Sequence, residues 1–173
     1  MTREDLVTLL ETTGAQIEAH AAVSDSFLDL RYGTGKWSIR EVLAHLADVE
    51  MINAWRFLRA IAETGGAVEG FDESRWAENL NYASRPGSVS GALFSGSRGV
   101  VIYHFANLPE ASLEGVSLHP EKGPMNGWQW AQLIHDHGAH HLSQLDAARD
   151  QVPWVRPEAN ADSWKFLGHN RQP

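Results

Sequence analysis

The strongest structural signal in the sequence is a stretch of about 25 residues that has helical periodicity and begins at a capping box. Residues 38–41 read Ser-Ile-Arg-Glu, the Ser-x-x-Glu pattern that caps a helix N-terminus, and an apolar run follows directly. Apolar residues recur at three- and four-residue spacing up to Ile61, and residues 64–66 (Thr-Gly-Gly) end the pattern. A helix of this length is typical of a helical bundle.

Three further stretches share this periodicity, so the sequence predicts four long helices. The first begins at a capping box at Thr2, the third spans roughly residues 88–108, and the fourth runs from an Asn126 cap to Pro153. No stretch shows the convincing alternation of apolar and polar residues that a half-buried strand would have. The pattern favours an all-α fold, a four-helix bundle.

The segments between the predicted helices are rich in residues that break helices. Residues 66–87 are loop-like apart from one candidate helical turn near residues 72–80, and residues 109–125 carry prolines and glycines that indicate a loop. The third helix also contains glycines, each of which costs up to ~1 kcal/mol relative to alanine. They stand at positions 91, 96 and 99, and they weaken the predicted third helix.

Length and composition are those of a single globular domain. The chain has 173 residues, of which 43% are hydrophobic and 21% are charged. We expect the bundle to occupy residues 1–152 and a short C-terminal tail to follow over residues 153–173. Large aromatic side chains suggest that the tail packs on the bundle or on a partner subunit: Trp154, Trp164 and Phe166.

Charge and cysteine content argue against several classes of function. The formal net charge is −8 and the basic residues are scattered, so neither nucleic acid nor an anionic membrane is an expected partner. The chain has no cysteine, hence no disulfide framework and no thiolate nucleophile of its own. No apolar run approaches the ~20 residues of a membrane helix, and the N-terminus is unlike a secretory signal. We therefore expect a cytoplasmic protein.

The histidines of the fourth helix are the clearest chemical signal. His137 and His141 are four residues apart, so on a helix their imidazoles share one face and can reach one metal ion. Apolar residues on the same face indicate that it is buried. His135 and His140 are rotated away from it and are expected to meet solvent or a subunit boundary.

A third ligand is needed, and His45 is the best candidate because it lies on the apolar stripe of the second helix. Asp48 and Glu41 lie within one turn of it and are candidates to orient a ligand or bound water. Three neutral imidazoles leave coordination positions open to water or substrate, as in catalytic sites. In the alternative hypothesis the three histidines form a buried polar seam that binds no metal.

Other constellations are weaker. The Glu-x-x-His motif of di-iron bundles, His-Glu-x-x-His, a P-loop and Gly-x-Ser-x-Gly are all absent. Arg56 and Arg98 are candidates to bind an anionic substrate, although a salt bridge is the simpler interpretation of each. Tryptophans are more often core residues than cofactor platforms, and we expect this of the residues at positions 37, 55, 128 and 130.

Two segments resemble signatures of the DinB/YfiT-like superfamily. Residues 35–50 contain Trp-Ser, then Glu, then His-Leu-Ala-Asp-Val-Glu, which is similar to the helix-two signature of that superfamily. Residues 137–145 resemble its helix-four segment, His-x-x-x-His-x-x-Gln. The resemblance covers roughly residues 1–150. It implies a four-helix bundle, commonly dimeric, with a divalent metal held by three histidines, which by motif position are His45, His137 and His141.

The resemblance also implies a cofactor and a class of reaction. The cofactor is one divalent transition metal per chain, zinc or nickel, with iron or manganese as alternatives. The expected activity is that of a thiol S-transferase that uses a low-molecular-weight thiol, with metal-bound thiol or water as the reactive species and Asp48 and Gln144 as supporting residues. The alternatives are a metal-dependent hydrolase of small amides or esters and a non-catalytic metal-binding protein. We expect a homodimer that takes a small-molecule substrate.

Overall fold

A computed structural model describes residues 1–156 and shows four long helices packed side by side, which confirms the predicted bundle. The described residues form seven α-helices, a 3-10 turn at Tyr82–Ser84 and three short strands: α1 (Arg3–Ala21), α2 (Asp25–Leu28), α3 (Ile39–Ala62), β1 (Gly66–Ala67), α4 (Glu73–Asn79), α5 (Gly87–Asn107), α6 (Glu110–Leu113), β2 (Val116–His119), β3 (Gly123–Asn126) and α7 (Gly127–Arg149).

The helix starts follow the capping signals of the sequence. The side chains of Thr2, Ser38 and Asn126 each accept a hydrogen bond from the backbone N–H three residues later, and the side chain at that third position bonds back. These reciprocal bonds satisfy backbone donors that a helix leaves unpaired at its N-terminus. Three of the four long helices therefore begin where the local sequence predicts.

The four long helices have a connectivity in which consecutive helices are not always neighbours. Helix α3 packs against α5 and α7, and α1 packs against the same two, so α1 and α3 lie across the bundle from each other. Helices α1 and α7 run in the same direction, because Thr13 meets His135 and His20 meets Asp146. Helix α7 therefore reaches both α1 and α3 along its length.

Arg98 ties all four long helices together at the centre of the bundle. Its guanidinium on α5 forms a buried ion pair with Glu50 of α3. It also donates to the carbonyl oxygens of Leu10 on α1, at 3.0 Å, and Ile134 on α7, at 3.4 Å. The salt-bridge interpretation of Arg98 is thus confirmed, and this side chain is not available to a substrate.

Helix α5 is continuous despite its glycines. A Cβ at Gly91 would lie 2.9 Å from the Cβ of Ala21, so this glycine lets α5 approach α1 closely. A Cβ at Gly96 or Gly99 would meet no other atom within 4 Å. Of the three glycines predicted to weaken this helix, Gly91 thus has a packing role, and Gly96 and Gly99 lie where there is open space.

The prediction of a plain loop over residues 109–125 is wrong. Strands β2 and β3 form an antiparallel hairpin there, and β1 pairs with β2 in parallel. Each strand of the hairpin has four residues, too short for the alternation of side chains to stand out among prolines and glycines. Helix α4, by contrast, lies where the candidate helical turn was expected.

The tryptophans do not all behave as core residues. Trp130 is fully buried, and Trp37 and Trp128 are partly buried against the core. Trp55 is 47% exposed, so the expectation of a core position is wrong for this residue. Among the described residues, no helix combines the length and the apolar character that crossing a membrane requires.

Candidate metal centre

The three histidines predicted to bind metal meet in the interior of the bundle. His45 of α3 and His137 and His141 of α7 are each no more than 2% exposed. The Nε2 atom of His45 lies 3.2 Å from Nε2 of His137 and 3.1 Å from Nε2 of His141. One ligand nitrogen from each residue lies within 4.8 Å of the others. Two helices that run past each other thus bring together residues that are 92 and 96 positions apart.

These distances match the spacing of nitrogen ligands around a divalent transition metal. Zn–N bonds of about 2.0–2.1 Å place two nitrogens of a tetrahedral site about 3.3 Å apart, and adjacent nitrogens of an octahedral site about 3.0 Å apart. The observed separations of 3.1 and 3.2 Å fall between the two values. The donor set is three imidazoles, which suits zinc, nickel or iron better than magnesium or calcium.

Gln144 orients one of the three rings. Its Oε1 atom accepts a hydrogen bond from Nδ1 of His141 at 2.7 Å, and both side chains are buried. An amide oxygen can only accept, so Nδ1 carries the proton and Nε2 presents its lone pair to the other two histidines. The contact is the one expected of a residue that supports a metal ligand.

The carboxylates of Asp48 and Glu41, which were predicted to support the site, both have partners in the structure. The Asp48 carboxylate accepts from the Tyr82 hydroxyl at 2.7 Å and from Arg85 at 2.6 and 3.0 Å. The Glu41 carboxylate completes the capping box of Ser38 and accepts from Arg31. The bonds to Asp48 anchor the segment around the 3-10 turn to α3, and the supporting role of Asp48 at the metal centre stays a prediction.

Tyr82 and Arg85 are polar residues near the site that the sequence did not single out. Burial and the hydrogen bond to Asp48 raise the pKa of the Tyr82 hydroxyl above its usual range, so it remains a donor. The hydrogen bonds to the carboxylate of Asp48 raise the pKa of Arg85, so its guanidinium keeps its positive charge at neutral pH. Both residues lie in a segment whose sequence predicts a loop. Their contacts with Asp48 join residues more than 30 positions apart, so the local spacing of residues does not predict these contacts.

The expectation for His140 is wrong, because its ring is buried instead of facing solvent. The ring centroid lies 4.6 Å from that of His141 and 5.2 Å from that of Trp154. The helical position of His140 does turn it away from the triad, but Trp154 covers that side of α7. His135 is half-buried, and its Nδ1 lies 3.4 Å from the Thr13 hydroxyl.

The first residues of the C-terminal tail lie against the bundle next to the candidate site. The indole Nε1 of Trp154 donates to the Ser143 hydroxyl at 2.9 Å, and its ring meets Tyr32 edge-on at 6.0 Å. The Trp37 ring also lies close to the triad, 5.2 Å from the ring of His45. Trp164 and Phe166, which were predicted to pack in the same way, lie outside the described residues.

Comparison with proteins of known sequence finds relatives that share one descriptive name. A protein of Oceanobacillus iheyensis is 28% identical over 151 residues, which cover 87% of this chain and 84% of the relative. A protein of Bacillus licheniformis is 30% identical over 137 residues, which cover 79% of this chain and 78% of the relative. Both carry the name "putative metal-dependent hydrolase".

Comparison with solved structures also finds four-helix bundle proteins. YfiT from Bacillus subtilis, described as "a probable metal-dependent hydrolase with an unusual four-helix bundle topology", superposes with a TM-score of 0.77. It is 25% identical, over 88% of this chain and 89% of its own. A mycothiol-dependent maleylpyruvate isomerase gives a TM-score of 0.68 at 13% identity over 84% of this chain and 61% of its own, a likeness of fold alone.

The family model of the DinB superfamily matches residues 3–145, nearly the whole of the bundle and all three histidines. The match agrees with the two sequence signatures and with the geometry of the buried triad. This chain belongs to the DinB superfamily.

Proposed function

We propose that this protein is a metal-dependent enzyme in which His45, His137 and His141 hold one divalent transition metal that activates a small nucleophile. The observation that carries the proposal is the convergence of three buried Nε2 atoms at the spacing of metal ligands. A polar seam without metal would set three imidazoles against one another in the core, where each lone pair needs a donor.

The ligand set determines what chemistry the site favours. All three ligands are neutral, and no carboxylate joins them among the described residues. A divalent metal held by these three neutral ligands would keep its full positive charge, and it would lower the pKa of a thiol or a water molecule at an open coordination position. The protein contributes the orientation of the ligands through Gln144 and a site shielded from bulk water.

We propose a low-molecular-weight thiol as this nucleophile, and S-transfer as the reaction. The chain has no cysteine, so the sulfur must come from a small-molecule cosubstrate. The thiol would lose its proton to solvent water, and the sulfur of the resulting thiolate would form a bond to an electrophilic carbon of the second substrate. The bond from that carbon to the leaving group would break, and the leaving group would depart with its electron pair. The resemblance of the two histidine signatures to a superfamily with thiol-dependent members supports this assignment.

A second candidate is the hydrolysis of small amides or esters, with water as the nucleophile. The specific observation in its favour is the name shared by the relatives from Oceanobacillus iheyensis and Bacillus licheniformis, each similar over more than three quarters of this chain. The same three histidines serve both reactions, so the two candidates differ only in the nucleophile that the open positions accept.

The experiment compares metal-loaded protein with the His45→Ala variant on two substrate panels. The first panel contains a low-molecular-weight thiol with an aryl halide, and the second contains activated esters and anilides without thiol. We expect thiol consumption that is faster with the wild-type protein than with the variant. Thiol-independent cleavage would favour the hydrolase. Metal binding without turnover on either panel would contradict an enzymatic role and favour a metal-binding protein.

A further inference from the structure

We propose that Arg56 binds a carboxylate group of the substrate at the opposite end of the α3–α7 interface from the three histidines. The identification of the bound carboxylate as part of the substrate rests on the proposed function, whereas the anion site itself rests on the surroundings of Arg56 alone. The site is built from α3, the β2–β3 hairpin and the segment that leads into α4.

Arg56 is a buried cation without a carboxylate partner. The residue is only 5% exposed. It donates to the amide oxygen of Asn53 at 3.0 Å and to the carbonyl oxygen of Glu69, both of which are uncharged acceptors. Among the described residues, no carboxylate oxygen lies within 4.0 Å of its guanidinium, and its buried Nε–H has no acceptor. Arginine is almost never buried to this extent unless an anion accompanies it.

The groups around Arg56 favour an anion over a neutral ligand. The rings of Phe71 and Trp130 lie 5.7 Å from its guanidinium carbon and hold it in place. His119 accepts from the backbone N–H groups of Glu121 and Lys122 through Nδ1, at 3.2 and 3.3 Å, so its proton is on Nε2. Burial lowers the pKa of His119 to about 4, so at neutral pH it remains an uncharged donor.

The nearby charges leave Arg56 incompletely neutralised. Lys122 adds a second cation close enough to lower the pKa of His119 together with Arg56. Glu73 is the carboxylate with the largest opposing effect on Arg56, and Glu121 is the next. Burial raises the pKa of Glu73 to about 7, so this carboxyl is only partly ionised at neutral pH. An incoming carboxylate would therefore complete the charge balance of the cluster.

Helix geometry places this cluster at a useful distance from the triad. Arg56 follows His45 by eleven residues on α3, which is three turns and about 16 Å, on the same face. Trp130, which faces Arg56, precedes His137 by seven residues on α7, or about 10 Å. A substrate that reached both places would carry its carboxylate about 10–16 Å from its reacting atom, the length of an extended molecule of three to five residues or equivalent units.

The covering segment gives a route to the buried guanidinium. Helix α4 lies over α3 and has no fully buried side chain of its own, whereas Val68 before it and Tyr82 after it are buried. A segment with few buried contacts opens at low free-energy cost. Displacement of α4 would move Glu73 away and admit the carboxylate to Arg56.

The test titrates sodium succinate against sodium chloride of equal ionic strength and follows tryptophan fluorescence and Tm, without any assay of turnover. The proteins are the wild type, Arg56→Gln, Arg56→Lys and the matched control Arg59→Gln, which removes the same charge one turn further along α3. We expect saturable binding of succinate by the wild type and by the control, and at least tenfold weaker binding by Arg56→Gln. Arg56→Lys, which keeps the charge but not the planar group, should lie between them.

The Lys122→Gln variant tests the same anion site if Arg56→Gln fails to fold, because Lys122 lies on the hairpin and not on the core helix. We expect it to weaken succinate binding severalfold. Equal binding by the wild type and by folded Arg56 or Lys122 variants, or no binding beyond that of chloride, overturns the proposal. The same titration on the His137→Ala/His141→Ala variant separates the two proposals. Arg56-dependent binding that survives in this variant, which lacks two of the proposed metal ligands, would show that the anion site does not depend on the metal centre. The anion site would then stand even if the experiment on turnover contradicts the proposed function.

Discussion

The position of one proton on His141 determines whether this residue can act as a metal ligand. With the proton on Nδ1, which donates to Gln144, the lone pair of Nε2 faces His45 and His137. With the proton on Nε2, the ring would direct an N–H group into the site instead. The 2.7 Å contact with an amide oxygen selects the first tautomer, because that oxygen has no proton to give.

Replacement of Gln144 by leucine should therefore weaken metal binding without unfolding the protein. We expect the affinity to fall by about 10–100-fold, as measured by competition with a chromophoric chelator. The matched control is Gln132→Leu on the same helix, because Gln132 bonds Asp136 and not a histidine. Unchanged affinity in the Gln144 variant would contradict the orienting role.

Single residues also show where sequence reasoning succeeds and where it stops. The positions of His45, His137, His141 and Gln144 follow from helix periodicity and from the family signatures, because each lies on the inward stripe of its helix. Asp48 is only one turn from His45, yet its partners come from a loop far along the chain. Local spacing predicts which face a side chain occupies, but not which distant residue meets it there.

At the scale of secondary structure, the glycines of α5 differ in how much space surrounds them. A methyl group at Gly91 would collide with Ala21, whereas a methyl group at Gly96 would enter open space. Alanine is the better helix former by about 0.5–1 kcal/mol, so space alone decides the outcome of each replacement.

We predict that Gly96→Ala raises the free energy of unfolding by about 0.5–1 kcal/mol. The Gly91→Ala variant should have a free energy of unfolding about 1–3 kcal/mol lower than that of the Gly96→Ala variant, because α1 and α5 must move apart. Urea denaturation monitored by circular dichroism checks both values. Equal effects of the two substitutions would show that the close approach of α1 and α5 is not tight.

Helix α4 should impose a pH dependence on stability through Glu73. Burial raises the pKa of Glu73 from 4.5 to about 7 in the folded protein, so the folded state retains a proton that the unfolded chain loses. The resulting stabilisation is fully present below about pH 4.5 and is lost as the pH rises through 7. Between pH 5 and 8 the wild type should lose roughly 1–3 kcal/mol of stability relative to Glu73→Gln.

Urea titrations at several pH values compare the wild type with Glu73→Gln and with Glu78→Gln, an exposed position on the same helix. The Glu78 variant is expected to follow the wild type across the whole range. A constant difference between the wild type and Glu73→Gln from pH 5 to 8 would be inconsistent with a half-buried, partly protonated carboxyl at position 73.

Long elements were predictable from the sequence, and short ones were not. The four long helices each have several turns over which an apolar stripe repeats, and three have a capping box at the start. The hairpin of β2 and β3 depends on contacts with β1 and with α3, which lie some 50 residues earlier in the chain. Strands of four residues are stabilised by such partners more than by their own propensity.

For the molecule as a whole, we expect the fold not to depend on the three histidines. Two apolar clusters fill the bundle on either side of the triad, and the Arg98–Glu50 pair joins the helices between them. Loss of the metal ligands should therefore change metal binding far more than it changes folding. The homodimer, the cytoplasmic location and the division at residue 152 remain predictions from the sequence.

The most direct test of the metal centre is the metal content of the protein purified without a His-tag and without added metal. Inductively coupled plasma mass spectrometry would compare the wild type with the His137→Ala/His141→Ala variant, and circular dichroism would confirm that both are folded. We predict close to one transition-metal ion per chain in the wild type and almost none in the variant. Absence of metal from both proteins, with no uptake of added zinc or nickel by the wild type, would contradict the metal centre and leave the three histidines as a buried polar seam.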